Sequence, residues 1–206
     1  ILYGPEGIYV GAMMYDANPS RIMATLGRRD EYNRADWLTV SFDSNNNQEA
    51  AYTFAVNAAG IQLDGIMGGG GGFGSRVDES WDAVWESNTA ITSEGWVAEM
   101  RIPYSMLRFS DGATRWRAQF QRRIPRQGEE SEWPLVPRSE RQNKLSHYGW
   151  ITNLEGVDAE RNVQVRPYVM SRMVSQESQA QPGSAIQNTA ADLGGDLKIG
   201  LTSNIT

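Results

Sequence analysis

Gly95–Pro103 reads GWVAEMRIP, and its alternation decides the fold class. Trp96, Ala98, Met100 and Ile102 fall on one side of an extended chain, and Val97, Glu99 and Arg101 on the other. A period of two with one apolar face is the mark of a half-buried strand. Pro103 has no N–H for a ladder and closes the segment. Thr114–Ile124 (TRWRAQFQRRI) repeats the pattern, with Trp116, Ala118 and Phe120 inward and Arg115, Arg117, Gln119 and Gln121 outward. Tyr104–Arg108 between them is long enough for one helical turn. If the two strands pair across Tyr104–Ala113, Glu99 and Arg101 lie opposite Arg115, Arg117 and Gln119, a polar face suited to a sugar groove or to cross-strand ion pairs.

Working outward, Gly7–Tyr15 is apolar nearly throughout, as a central strand would be, and Asp16–Ser20 (DANPS) is a turn. Trp37–Asp43 and Ala51–Asn57 form strands joined by the polar loop Ser44–Glu49. Gly60–Met67 continues them, with Ile61, Leu63 and Gly65 on one side and Gln62, Asp64 and Ile66 on the other. Gly68–Gly74 (GGGGGFG) reads as a mobile loop, because glycine loses most entropy on ordering. Trp81–Ala90 is expected to be a strand beside a loop. Residues 125–162 read as loop-rich, with a short strand near Tyr148–Thr152. The expectation is an all-β antiparallel sandwich over residues 1–157, then strands at Val163–Met173 and Asp192–Ile205 around a polar loop. In the last strand apolar residues alternate with Gly and polar ones, a pattern shared by outer-membrane barrel strands and by ordinary amphipathic hairpins.

Composition removes several chemistries. The 206 residues carry 25 Asp+Glu against 19 Lys+Arg, a net charge of −6, which argues against nucleic acid as a partner. Without cysteine there is no thiol nucleophile, disulfide or zinc–thiolate site. His147 is the only histidine, so neither a His-based triad nor a multi-histidine metal site can be completed within one chain. No run approaches the roughly 20 apolar residues of a membrane helix. Ile1 opens without Met or a leader pattern, so the sequence reads as an internal piece of a longer chain.

Several stretches taken together resemble a known family. IYVGAMMYDANPSRI (8–22), RRDEYNRADWLTVSFDS (28–44), AYTFAVNAAGIQLD (51–64), ESWDAVWES (79–87) and GWVAEMRIPYSMLRF (95–109) occur in that order. They resemble the family 9 carbohydrate-binding module-like domain, a β-sandwich of the DOMON-like group. RNVQVRPYVMSRM (161–173) and DLGGDLKIGLTSNIT (192–206) resemble the start of an uncharacterised bacterial outer-membrane β-barrel domain. The resemblance implies a sandwich whose first strands precede Ile1, the beginning of a barrel over 158–206, and a place in the bacterial envelope, in the periplasm or outer membrane. The partners it implies are an oligo- or polysaccharide and the chain's own C-terminal barrel. The match is imperfect: Asp36-Trp37-Leu38-Thr39 stands where sugar-binding members carry Asp-x-Val-Glu, so the ligand-contacting carboxylate is missing.

Sugars are held by aromatic faces against their C–H side and by planar polar groups on their hydroxyls. Trp81 and Trp85, four apart beside Asp82, would share a strand face and give two platforms; alternatively both indoles cap the core. Arg28, Arg29 and Asp30, with Asp36 and Trp37, form a second cluster that either grips hydroxyls or pins a loop to the sheet. Asp43, Asn45 and Asn47 imitate the start of a calcium loop. Gln48 and Phe54 at its sixth and twelfth positions fit a plain hairpin turn better. Calcium is thus the one ion the sequence suggests, and no cofactor is implied. Glu129, Glu130 and Glu132 offset Arg122, Arg123 and Arg126 in what reads as a solvated loop. Nothing singles out the paired carboxylates of a glycosidase. A haem or redox DOMON-like role would have only His147 and a methionine as ligands. The expectation is therefore a non-catalytic saccharide-binding module, associated with polysaccharide breakdown through its family. The alternative is a structural plug or docking domain for the barrel.

Overall fold

Alternation fixes which side chains leave water. In a computed structural model describing residues 1–68, 77–78, 80–110, 112–157, 163–177 and 185–199, Trp96, Ala98, Met100 and Ile102 are all at most 2% exposed, while Glu99 is exposed. The glycine run Gly69–Gly74 lies outside the described residues.

Among the described residues, eleven strands build the first unit, Ile1–Glu160: β1 (Leu2–Tyr3), β2 (Gly7–Tyr15), β3 (Trp37–Asp43), β4 (Ala50–Asn57), β5 (Gln62–Gly68), β6 (Val77–Asp78), β7 (Glu86–Ile91), β8 (Gly95–Pro103), β9 (Arg115–Ile124), β10 (Glu129–Trp133) and β11 (Gly149–Thr152). They form two antiparallel sheets, one ordered β1-β2-β8-β7 and the other β10-β9-β3-β4-β5-β6. β11 shares the β9 edge with β10: it takes Arg115–Ala118, and β10 takes Phe120–Ile124. Inward residues of β2, β8, β3, β4 and β9 meet in one core cluster, as facing sheets of a sandwich require. Its aromatic centre is Trp116, with Phe109 at 4.8 Å, Tyr104 at 6.1 Å and Phe42 at 6.5 Å between ring centroids.

The condition for Glu99 and Arg101 to face Arg115, Arg117 and Gln119, a pairing of β8 with β9, is not met. β8 lies between β2 and β7 in one sheet, and β9 pairs with β3 in the other. The 3-10 turn Tyr104–Met106 buries Tyr104 and Met106 in the core, which carries the chain across the sandwich instead of folding it back as a hairpin. The segment read as loop also holds more order than expected. Its three glutamates sit on β10, where Glu130 faces Arg123 at 3.8 Å and Glu132 faces Lys144 at 3.5 Å. Arg138–His147 winds as two 3-10 stretches broken at Asn143. Leu145 and Tyr148 then pack on Ala51 and Met67, covering one end of the outer face of the larger sheet.

The second unit, Arg161–Thr206, contains one antiparallel hairpin, β12 (Val163–Glu177) and β13 (Ala185–Ile199). β12 runs past its expected end at Met173 and β13 begins before its expected start at Asp192, because the ladder continues in register from Val163↔Ile199 to Glu177↔Ala185. The expected end of the second strand, 200–205, lies outside the described residues. Tyr168 pairs with Gly194 and lies across its bare Cα, so the ring fills the place of the missing side chain.

Candidate functional site

Of the two tryptophans singled out in the sequence, Trp85 is closed off and Trp81 is half-buried. Residues 81–85 form no strand, so Trp81 and Trp85 do not share a strand face. Trp85 is 5% exposed, its ring set edge-on to Phe54 at 5.4 Å and its Nε1 donating to Asp64 Oδ1 at 3.0 Å. Trp81 is half-buried between Tyr52 at 5.2 Å and Phe54 at 5.9 Å, with Asp82 exposed beside it. An indole with an acceptor inside the core gains more from burial than from water, and this determines the closed arrangement.

That acceptor organises the segment. Asp64, fully buried, takes donors from Arg29, from the Ala83 amide (2.6 Å) and from Trp85. Arg29 also donates to Gln62 Oε1 at 2.6 Å and to the Ala83 carbonyl at 2.9 Å, and Asp30 Oδ1 accepts the Asp64 amide at 3.2 Å. Burial, and then the nearby Asp64 and Asp82, push the Asp30 carboxyl up despite Arg29. Of the two readings of the Arg–Asp cluster, the geometry is that of pinning; Arg28 stays exposed and out of this network. Asp43 likewise closes its turn, accepting the Asn47 and Gln48 amides at 3.3 and 2.9 Å.

Asp36 and Trp37 are both completely buried. Asp36 Oδ2 accepts the Met23 amide at 2.9 Å, while Oδ1 stands 4.0 Å from Arg126 Nη1. Arg126 reaches both oxygens of Asp16 at 2.6 and 2.7 Å, with Arg122 3.9 Å away. For Asp36, burial outweighs the arginines and raises the carboxyl. For Asp16, burial also opposes ionisation, but Arg126, the Asn18 amide and Arg122 together hold the carboxyl below 3.8. A depressed folded-state carboxyl contributes stability that is present above the unfolded value and lost as pH falls through the folded one. Asp16→Asn should therefore lower the urea midpoint at pH 7, and the gap from the parent should shrink steadily below pH 4. A gap constant with pH would refute the ionic account.

Trp37 lies beneath a half-exposed aromatic ring. Its indole stacks under Tyr32, with centroids 5.0 Å apart and planes 27° apart, and the Arg123 guanidinium sits 4.9 Å from the same tyrosine ring. Tyr32 itself is 48% exposed. The segment is set by backbone anchoring: Trp37 Nε1 donates to the Asn33 carbonyl at 3.1 Å, and the buried Asn57 amide donates to the Thr25 carbonyl at 2.9 Å. Around Tyr32 opens a cleft of about 840 Å³, lined among others by Asn33, Arg34, Arg123, Glu129, Arg138 and Arg141. Arg138 and Arg141 are three apart on a 3-10 turn, where such residues stand on the same side. The volume falls in the range of small-molecule sites, roughly 300–1,000 Å³. Chemically the cleft offers an apolar ring face beside an amide and several forked donors.

Comparison of the chain with models of known protein families, with curated proteins and with solved structures found no match.

Tyr32 escaped the sequence reading because it sits in a polar run, RRDEYNRADW, with no periodicity. The available signal was its position five residues before Trp37. Arg123 was read only as one of the charges offset by Glu129, Glu130 and Glu132, and Arg138 and Arg141 come from a segment read as loop-rich.

Proposed function

We propose that this sandwich is a non-catalytic saccharide-binding module of the bacterial envelope, and that the sugar lies against Tyr32 rather than against Trp81 or Trp85. The observation that carries the reading is the Tyr32 ring, backed on one side by Trp37 and half-exposed in a cleft with Asn33, Arg34 and Arg123. A pyranose can place its C–H face on such a ring while amide and guanidinium groups take its hydroxyls. The sequence likeness to a carbohydrate-binding module-like domain supports the same reading, and the likeness of 161–206 to the start of an outer-membrane barrel supports the envelope setting.

A glycan array probed with the protein tests this. Tyr32→Ala should weaken binding at least about tenfold, the equivalent of ~1.4 kcal/mol. Trp85→Ala should reduce stability and leave the affinity of the folded fraction intact. Absence of binding, or binding indifferent to Tyr32→Ala, would discard the site.

A second reading, a structural docking domain for a barrel, has its own support. On the β12–β13 hairpin, Val165, Val169 and Met173 alternate onto one side of β12, Leu193 pairs with Val169, and all four are at least 66% exposed. An apolar strand face of that kind suits contact with lipid or with further strands.

A further inference from the structure

We infer that the saccharide held in the Tyr32 cleft is acidic, carrying carboxylate or sulfate groups; this rests on the reading of that cleft as a sugar site. Four arginines, Arg34, Arg123, Arg138 and Arg141, line it together with only two carboxylates, Glu129 and Glu130. Glu130 is engaged by Arg123 at 3.8 Å. Among the described residues, Arg34, Arg138 and Arg141 have no carboxylate partner. A chain of net charge −6 thus concentrates unpaired positive charge at one concave place, against its overall sign. Four arginines against two glutamates leave an excess of positive charge; like charges with too few counterions repel, and a bound anion relieves that repulsion. The guanidinium fork matches the two oxygens of a carboxylate or sulfate, and the paired placement of Arg138 and Arg141 offers two such forks on one side. Tyr32 then orients the ring while the arginines take its charged substituents. A neutral sugar would leave those donors facing only hydroxyls.

The experiment is calorimetric titration of the whole chain with oligogalacturonate (carboxylate), a heparin-derived oligosaccharide (sulfate) and a neutral cello-oligosaccharide, in 50 and 300 mM salt. One or both acidic ligands should bind at least tenfold more tightly than the neutral one, and lose about tenfold in the higher salt. Arg138→Gln with Arg141→Gln should weaken the acidic ligand at least tenfold; both positions are exposed, so the fold is retained. The acidic arm that binds more tightly identifies the anion. Tight neutral binding that needs Tyr32 but not the arginines overturns the acidic assignment and leaves the saccharide site standing. Polyglutamate binding as tightly as oligogalacturonate, with Tyr32→Ala without effect, overturns both.

Discussion

Trp116→Ala should lower the unfolding free energy by about 3–5 kcal/mol, the range for deleting a large aromatic from a packed core. Trp116 is fully buried and touches three other rings, Phe109, Tyr104 and Phe42, each pair adding to simple area burial. These neighbours come from two separate parts of the chain, β3 and the connection between β8 and β9, so no single side-chain rotation refills the void. Among the described residues the indole N–H has no hydrogen-bond partner, so the loss is one of packing and not of hydrogen bonding. Because β9 pairs with β3, β10 and β11, the damage should appear in the global transition. Urea unfolding followed by circular dichroism should show a lower midpoint at an unchanged slope. A loss under 1 kcal/mol would mean that the cluster is slack.

Asp64→Ala should cost about 3 kcal/mol or more, through a different mechanism. The carboxylate satisfies three donors, and its removal leaves the Ala83 amide and the Trp85 N–H buried without an acceptor, each worth about 1–3 kcal/mol. Arg29 is 40% exposed and can turn to water, so its share is the smaller one. Asp64→Asn should recover little. Oδ1 accepts from Arg29 and Trp85 and Oδ2 from Ala83, so either amide orientation aims an N–H at a donor. A double-mutant cycle with Trp85→Phe should give a coupling of about 1 kcal/mol or more. Additive losses would show that the two residues are held independently.

The all-β class and most strands were legible because β2, β8 and β9 each separate a more buried face from a wetter one, while β3 and β4, buried on both faces, are short β-rich runs bounded by polar turns. Partnering was less legible. The Tyr104–Met106 turn sends β9 to the opposite sheet only because its own side chains enter the core, a tertiary fact with no local signature. β10 reads EESEW and has almost no apolar content; it is a strand because the β9 edge beside it needs a ladder. The difference between an open and a closed aromatic was also hidden. Trp85 is closed by an aspartate 21 residues away, and Tyr32 is lifted onto Trp37 by a loop that Asn57 ties down from another strand. Both depend on contacts distant in sequence, which spacing and composition do not encode.

The division of the β9 margin between β10 and β11 bears on how the sheet meets other molecules. An outermost strand with unused backbone groups invites a stranger's strand to add on. Here that border is broken into segments of five and four residues, the first bearing Glu129, Glu130 and Glu132. Another chain would find no long flat rail to follow, and a second copy approaching by the same border would meet its own acidic residues. The same short segments that finish the sheet thereby discourage fibrillar growth along it.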